Sequence, residues 1–105
     1  MKIFSIAEIG SNWEGSFTIG KKIIKKCKDA GADAVKFQMW RAEDLYPSHP
    51  LLKQIQKTEL SPKTAAKFKK FADEVGIDFF CSVFYPEAVD FLESLDIKQY
   101  KIASR

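Results

Sequence analysis

The chain has 105 residues, 46% hydrophobic and 30% charged, with 17 Lys and Arg against 14 Asp and Glu for a net charge of +3. That composition excludes wholesale disorder, a collagen-like repeat and a disulfide-dense secreted scaffold, and it suits one modest globular core. The length falls well short of the roughly 250 residues of a complete eight-unit α/β barrel.

Residues 3–9 read as a first strand ending at Gly10. Its apolar start is cut at Glu8 with no small-residue cleavage site after it, and no apolar run reaches the ~18 residues of a membrane span. A cytoplasmic protein is therefore expected. Ser16 can cap a helix over 17–30, with Ile23, Ile24, Cys27 and Ala30 as its buried stripe and Gly31 as its left-handed stop. Residues 32–37 form the next strand. A connection over 39–60 follows, holding Pro47, Pro50 and one short helical piece near 51–55. It is longer than the usual loop of about 4–6 residues, which points to a function.

Ser61 and Pro62 make a strong helix start, a cap residue followed by proline at the first helical position. Ala65, Phe68, Phe71, Ala72 and Val75 supply the stripe and Gly76 ends it. Residues 77–82 give a third strand. Pro86 opens a third helix with Ala88, Phe91, Leu92 and Leu95 on one face, and 97–103 reads as a fourth strand. The order βαβαβαβ predicts an α/β fold: a single domain over 1–105 with parallel strands and right-handed crossovers. Cys27 and Cys81 lie far apart and form no metal-type or redox-type pair, so reduced, mostly buried thiols are expected. The lysines at 21, 22, 25, 26 and 28, and at 63, 67, 69 and 70, fall opposite the apolar stripes. They read as solvated helix faces, so no nucleic-acid partner is expected.

The polar residues carry the functional signal. Glu8 ends the first strand, Lys36 and Gln38 the second, Ser82 the third, and Lys101 and Ser104 the fourth. In parallel α/β sheets ligands bind at the carboxyl edge of the strands. Lys36 and Gln38 are two apart and share a face. A lysine in an apolar strand costs desolvation unless an anion compensates it. Two such lysines on different strand ends point to a doubly charged anion, phosphate above all. Each residue alone has a plainer reading, a snorkelling lysine or a Glu8 that simply pairs with Lys36 or Lys101.

Four segments, IAEIGSNWEG (6–15), AGADAVKFQ (30–38), AEDLYP (42–47) and YKIAS (100–104), together resemble the sialic acid synthase family. The resemblance implies the N-terminal part of a (β/α)8 TIM barrel, about three and a half βα units. It further implies a phosphoenolpyruvate (PEP)-dependent C–C bond-forming transferase whose acceptor is N-acetylmannosamine or a related amino sugar. Carried onto this chain, Lys36 and Lys101 hold the PEP carboxylate and phosphate, and Ser82 stands where the family usually has threonine. Ser104 helps bind phosphate, Glu8 moves protons at the reacting centre, and Gln38 lies near the sugar. The full-length family enzyme is expected to use a divalent metal (Mn or Mg) whose ligands lie outside this chain, and to be a homodimer.

The chain also departs from the family pattern. Trp13 follows Asn12 where the family has histidine, Val83 replaces a proline, and Arg105 replaces a glycine. His49 in the long loop makes no metal site alone. The chain is expected to be an N-terminal fragment that is inactive by itself. The alternative is a non-catalytic half-barrel module that self-associates or docks on a partner through unpaired strand edges. A different PEP-condensing barrel is a weaker possibility, because it would share the chemistry but not the motif set.

Overall fold

The computed structural model of the chain describes residues 3–95 and the backbone of residues 100–102. In chain order the elements are β1 (Ile6–Gly10), α1 (Phe17–Asp29), β2 (Ala34–Met39), α2 (Ala42–Leu45), α3 (Leu52–Gln56), α4 (Pro62–Val75), β3 (Asp78–Val83), α5 (Pro86–Ser94) and β4 (Tyr100–Ile102). The four strands are all parallel and lie side by side in the order β1-β2-β3-β4. Each strand neighbours the next one in sequence, with no reversal of order. That is the topology of a (β/α)8 barrel in part, as expected, and not of a doubly wound sheet, whose strand order turns back at a switch point.

Local chemistry sets the helix ends. The Ser16 hydroxyl accepts from the Ile19 N–H at 3.2 Å, and the Ser61 hydroxyl accepts from the Thr64 N–H at 3.1 Å. Each satisfies one donor that a helix start leaves orphaned. Pro62 occupies the first turn of α4, and Gly76 closes that helix with φ at +81°. At the amino end of the sheet, Ser5 N–H donates to Asp33 Oδ2 at 2.8 Å. The Asp33 and Ala34 amides donate to the Ser5 carbonyl at 2.9 and 3.1 Å. This exchange pins the register of β1 against β2.

Alternation along the strands divides the sheet into two faces. Val35, Phe37, Met39, Phe79, Cys81 and Val83 are buried together with Ile24 of α1, Ala65, Phe68 and Ala72 of α4, and Ala88 and Leu92 of α5. Phe68 is the hub. Its ring centre lies 4.6 Å from Phe37, 5.0 Å from Phe17 and 5.4 Å from Trp13, which meets it edge-on. Gly20 on α1 permits that packing: a Cβ there would stand 2.3 Å from Cζ of Phe68.

The strands run slightly later than expected. β1 is Ile6–Gly10 and not 3–9, β2 is Ala34–Met39 and not 32–37, and β3 is Asp78–Val83 and not 77–82. The long connection holds two short helices, α2 and α3, where one was expected. Ala30 is exposed because α1 stops at Asp29 and Ala30 becomes its C-cap. The expected fourth strand is seen over 100–102, with 97–99 and 103 outside the described residues. Both cysteines are free, Cys81 buried and Cys27 half-buried. Among the described residues no helix is long and apolar enough to cross a membrane.

Candidate functional site at the carboxyl ends of the strands

The second face of the sheet carries the polar residues. Register pairs Glu8 with Lys36, and it pairs Gln38 with Ser82 and Ser82 with Lys101. Three of these side chains touch. Lys36 Nζ lies 3.8 Å from Glu8 Oε2, and Gln38 Nε2 donates to Glu8 Oε1 at 3.4 Å. Lys36 is 23% exposed and Glu8 49%, so both ends of this ion pair still reach solvent. An incoming anion can therefore exchange for the carboxylate without first opening a packed core.

Ser82 is the buried polar residue among those described, at 7% exposure. Among the described residues its hydroxyl has no hydrogen-bond partner. An inward hydroxyl without a protein partner on an otherwise apolar strand is free to donate to a ligand. The register position beside it belongs to Lys101, whose side chain, with Ser104 and Arg105, lies outside the described residues.

An irregularity in β1 follows directly after Glu8. Glu8 pairs with Lys36 and Gly10 with Phe37, so Ile9 is an extra residue in the ladder. Alternation sets Ala7 and Ile9 on the core side and Glu8 on the polar face, and the bulge shifts the register only after Glu8. Gly10 has φ at +56°, and a Cβ there would meet the Gln38 amide only at 3.6 Å, an ordinary contact. The backbone conformation, not the space, requires glycine.

On the core side of the same sheet, the Cys81 thiol is pushed up to about 12. Burial is the main cause, the Glu8 charge adds to it, and a hydrogen bond with the Met39 backbone works the other way. A thiol held neutral in this way is inert as a nucleophile at neutral pH. Trp13, the departure in the first loop, does not face the rim. It is 3% exposed and packs on Phe68. His49 is engaged locally, its Nδ1 accepting from the Leu51 N–H at 3.0 Å.

Sequence reasoning missed one constellation at the rim. The Arg41 guanidinium lies 3.9 Å from the centre of the Tyr85 ring, with Nη2 3.2 Å from Glu87 Oε2 and Nε 3.1 Å from Asp44 Oδ2. Burial pushes the Tyr85 phenol up and the Arg41 charge partly offsets it. Only the Arg41–Asp44 spacing of i, i+3 is visible in the sequence, because Tyr85 and Glu87 arrive through the β2–β3 pairing. Among the described residues no group of three or more His, Cys, Asp or Glu side chains could hold a metal ion.

The NeuB family model matches residues 23–105, most of the chain. This chain belongs to the NeuB family. Curated relatives include the N,N'-diacetyllegionaminic acid synthase of Legionella pneumophila, 32% identical over an alignment covering 99% of this chain and 33% of that protein. The human N-acetylneuraminate-9-phosphate synthase is 31% identical, with 96% of this chain and 32% of the human protein covered. The crystal structure of N-acetylneuraminic acid (sialic acid) synthetase from Leptospira borgpetersenii, in complex with citrate, superposes with a TM-score of 0.88 at 25% identity. That match covers 97% of this chain and 36% of the Leptospira chain. The NeuB-family chain thus spans about a third of the length of the curated relatives it matches. Its relatives are sialic acid synthase-like enzymes, and its four-stranded sheet is the corresponding part of their fold.

Proposed function

We propose that this chain is the PEP-binding portion of a sialic acid synthase-like enzyme, which condenses PEP with N-acetylmannosamine or a related amino sugar to a nonulosonic acid. The observation that carries the reading is the polar row itself: Lys36 and Gln38 each in contact with Glu8, and Ser82 in register between Gln38 and Lys101. The names of the relatives supply the reaction class.

The residue types suit the chemistry. Lys36 and Lys101 hold the carboxylate and phosphate of PEP, Ser82 donates to one of these anionic groups, and Ser104 adds a phosphate contact. Gln38 orients the acceptor sugar. Carbon 3 of PEP attacks the sugar aldehyde, forming the new C–C bond as the C=O π bond opens and its oxygen takes up a proton to become a hydroxyl, and leaving positive charge at carbon 2. Water adds at carbon 2. Glu8 stabilises the developing cation and takes the proton from that water. The tetrahedral intermediate then breaks its C–O bond to phosphate, giving the keto acid, and the lysines stabilise the departing dianion. The divalent metal belongs to the whole enzyme, with ligands outside this chain, and the 105 residues alone do not turn over. The whole enzyme is a homodimer acting in the cytoplasm.

The test is calorimetric titration of the chain with PEP, alongside a coupled assay of PEP consumption with amino sugars. Saturable PEP binding without turnover supports the reading, and absence of PEP binding contradicts it. A second reading is a half-barrel module that self-associates. It is favoured by Ile3, Phe4 and Ile6, which are 82%, 52% and 45% exposed at the amino end of the uncovered sheet face. Sedimentation would show a concentration-dependent dimer if that reading holds and a monomer throughout if it does not.

A further inference from the structure

We propose that Arg41 is a positioning residue, a clamp that holds the β2–α2 and β3–α5 connections together just past the strand ends that carry Gln38 and Ser82, on the Met39 and Val83 side of the sheet. The inference rests on the reading that this rim binds substrate. It begins with the ladder: β2 and β3 stay paired past their last residues, Phe84 N–H donating to the Met39 carbonyl at 3.0 Å. Residues 41 and 85 therefore face each other two steps beyond the Met39–Val83 pair. At that point the guanidinium lies over the Tyr85 ring and reaches Glu87 in the first turn of α5 and Asp44 in the first turn of α2.

Both helices need the help. Neither α2 nor α5 has a side-chain cap at its start, and α2 has only four residues, too few to hold a helix alone. A single exposed ion pair does little. Here one planar group is shared by two carboxylates and an aromatic face, so fixing it once fixes the starts of both helices. Glu59 completes the arrangement from the far end of the long connection, its Oε1 accepting from the Ala42 N–H at 2.6 Å. Lysine in place of Arg41 would keep the charge and lose the fork. The strand ends that present Gln38 and Ser82 continue directly into these loops, and a site of this kind works only if its supporting residues hold it still.

The test is hydrogen exchange on the chain and its Arg41→Lys and Arg41→Met variants, with PEP affinity measured in parallel. Amides of residues 42–46 and 87–89 should exchange at least tenfold faster in both variants, while amides within β2 and β3 and the melting temperature stay as in the unaltered chain. PEP affinity should fall at least threefold. Unchanged exchange in those two segments, equal acceleration throughout the strands, or faster exchange with unaltered PEP affinity would each overturn the clamp. If the unaltered chain binds no PEP, the functional reading fails, and the exchange result alone decides whether Arg41 holds the loops. Glu87→Gln, a milder change on the exposed side, should give a smaller acceleration in 87–89, and no acceleration there would also count against the clamp.

Discussion

Lys36 and Glu8 stand opposite each other in register on neighbouring parallel strands, Nζ 3.8 Å from Oε2. At that distance and exposure the pair is loose, worth at most about 1 kcal/mol as a surface contact. In the proposed function a PEP anion takes the place of this carboxylate on Lys36 in a charge-assisted bond. Lys36→Ala is therefore expected to weaken PEP binding about 10- to 100-fold, following the ~1.5–3 kcal/mol of a hydrogen bond to a charged group. Calorimetry on the two chains checks this, and equal affinities would show that another cation does the work.

Glu8 should behave in the opposite way. It is a negative charge beside the proposed PEP site, so Glu8→Gln removes repulsion while keeping the shape. PEP affinity is expected to stay the same or rise by a few-fold. In a full-length NeuB-family enzyme carrying the same residue, turnover should fall by about 10²–10⁴, the usual contribution of a general base. Titration and steady-state assay of the pair of proteins separate the two roles; a large loss of PEP affinity would make Glu8 a binding residue.

Gly20 offers a test of the core in which the sign itself is informative. Glycine to alanine inside an exposed helix normally stabilises by up to about 1 kcal/mol. Here the new methyl would stand 2.3 Å from the Phe68 ring, which is fully buried among Phe37, Phe17 and Trp13 and has nowhere to go. Gly20→Ala is expected to destabilise by about 1–3 kcal/mol, the cost of overpacking. Urea unfolding decides the sign.

The order of elements was legible because punctuation and periodicity agree: Ser61-Pro62 starts α4, Gly76 ends it, and apolar stripes mark the helices. Strand ends were harder to place. Lys36 and Gln38 look like an exit from β2, yet they lie on the polar face while Val35, Phe37 and Met39 carry the strand onward on the other. The candidate rim was legible for the same reason, since polar residues at period two in apolar strands face one way. Trp13 was not, because nothing local says that a loop tryptophan turns back onto a ring fifty-five residues later. Nor was the Arg41 cluster, which exists only once β2 and β3 have paired.

The two cysteines should differ in reactivity and in their effect on stability. Cys27 is half-buried and Cys81 fully buried, both with thiols raised by burial. A maleimide at pH 8 is expected to label Cys27 first, with Cys81 modified only as the chain unfolds. The linkage has a definite sign. The folded Cys81 thiol stays protonated up to about 12, from an ordinary value of 9.0. The unfolded chain loses that proton first, so this contribution is complete below pH 9 and fades towards 12, by up to about 1.4 kcal/mol per pH unit. The stability difference between the chain and Cys81→Ala should shrink across that window and be flat below it. Unfolding curves at several pH values check this.

The most direct measurement is a crystal structure of the chain with PEP. The account predicts the ligand on the polar face of the sheet, one of its anionic groups within about 3 Å of Lys36 Nζ, and the Ser82 hydroxyl donating to it. PEP bound elsewhere, with the Lys36–Glu8 pair undisturbed, would contradict it.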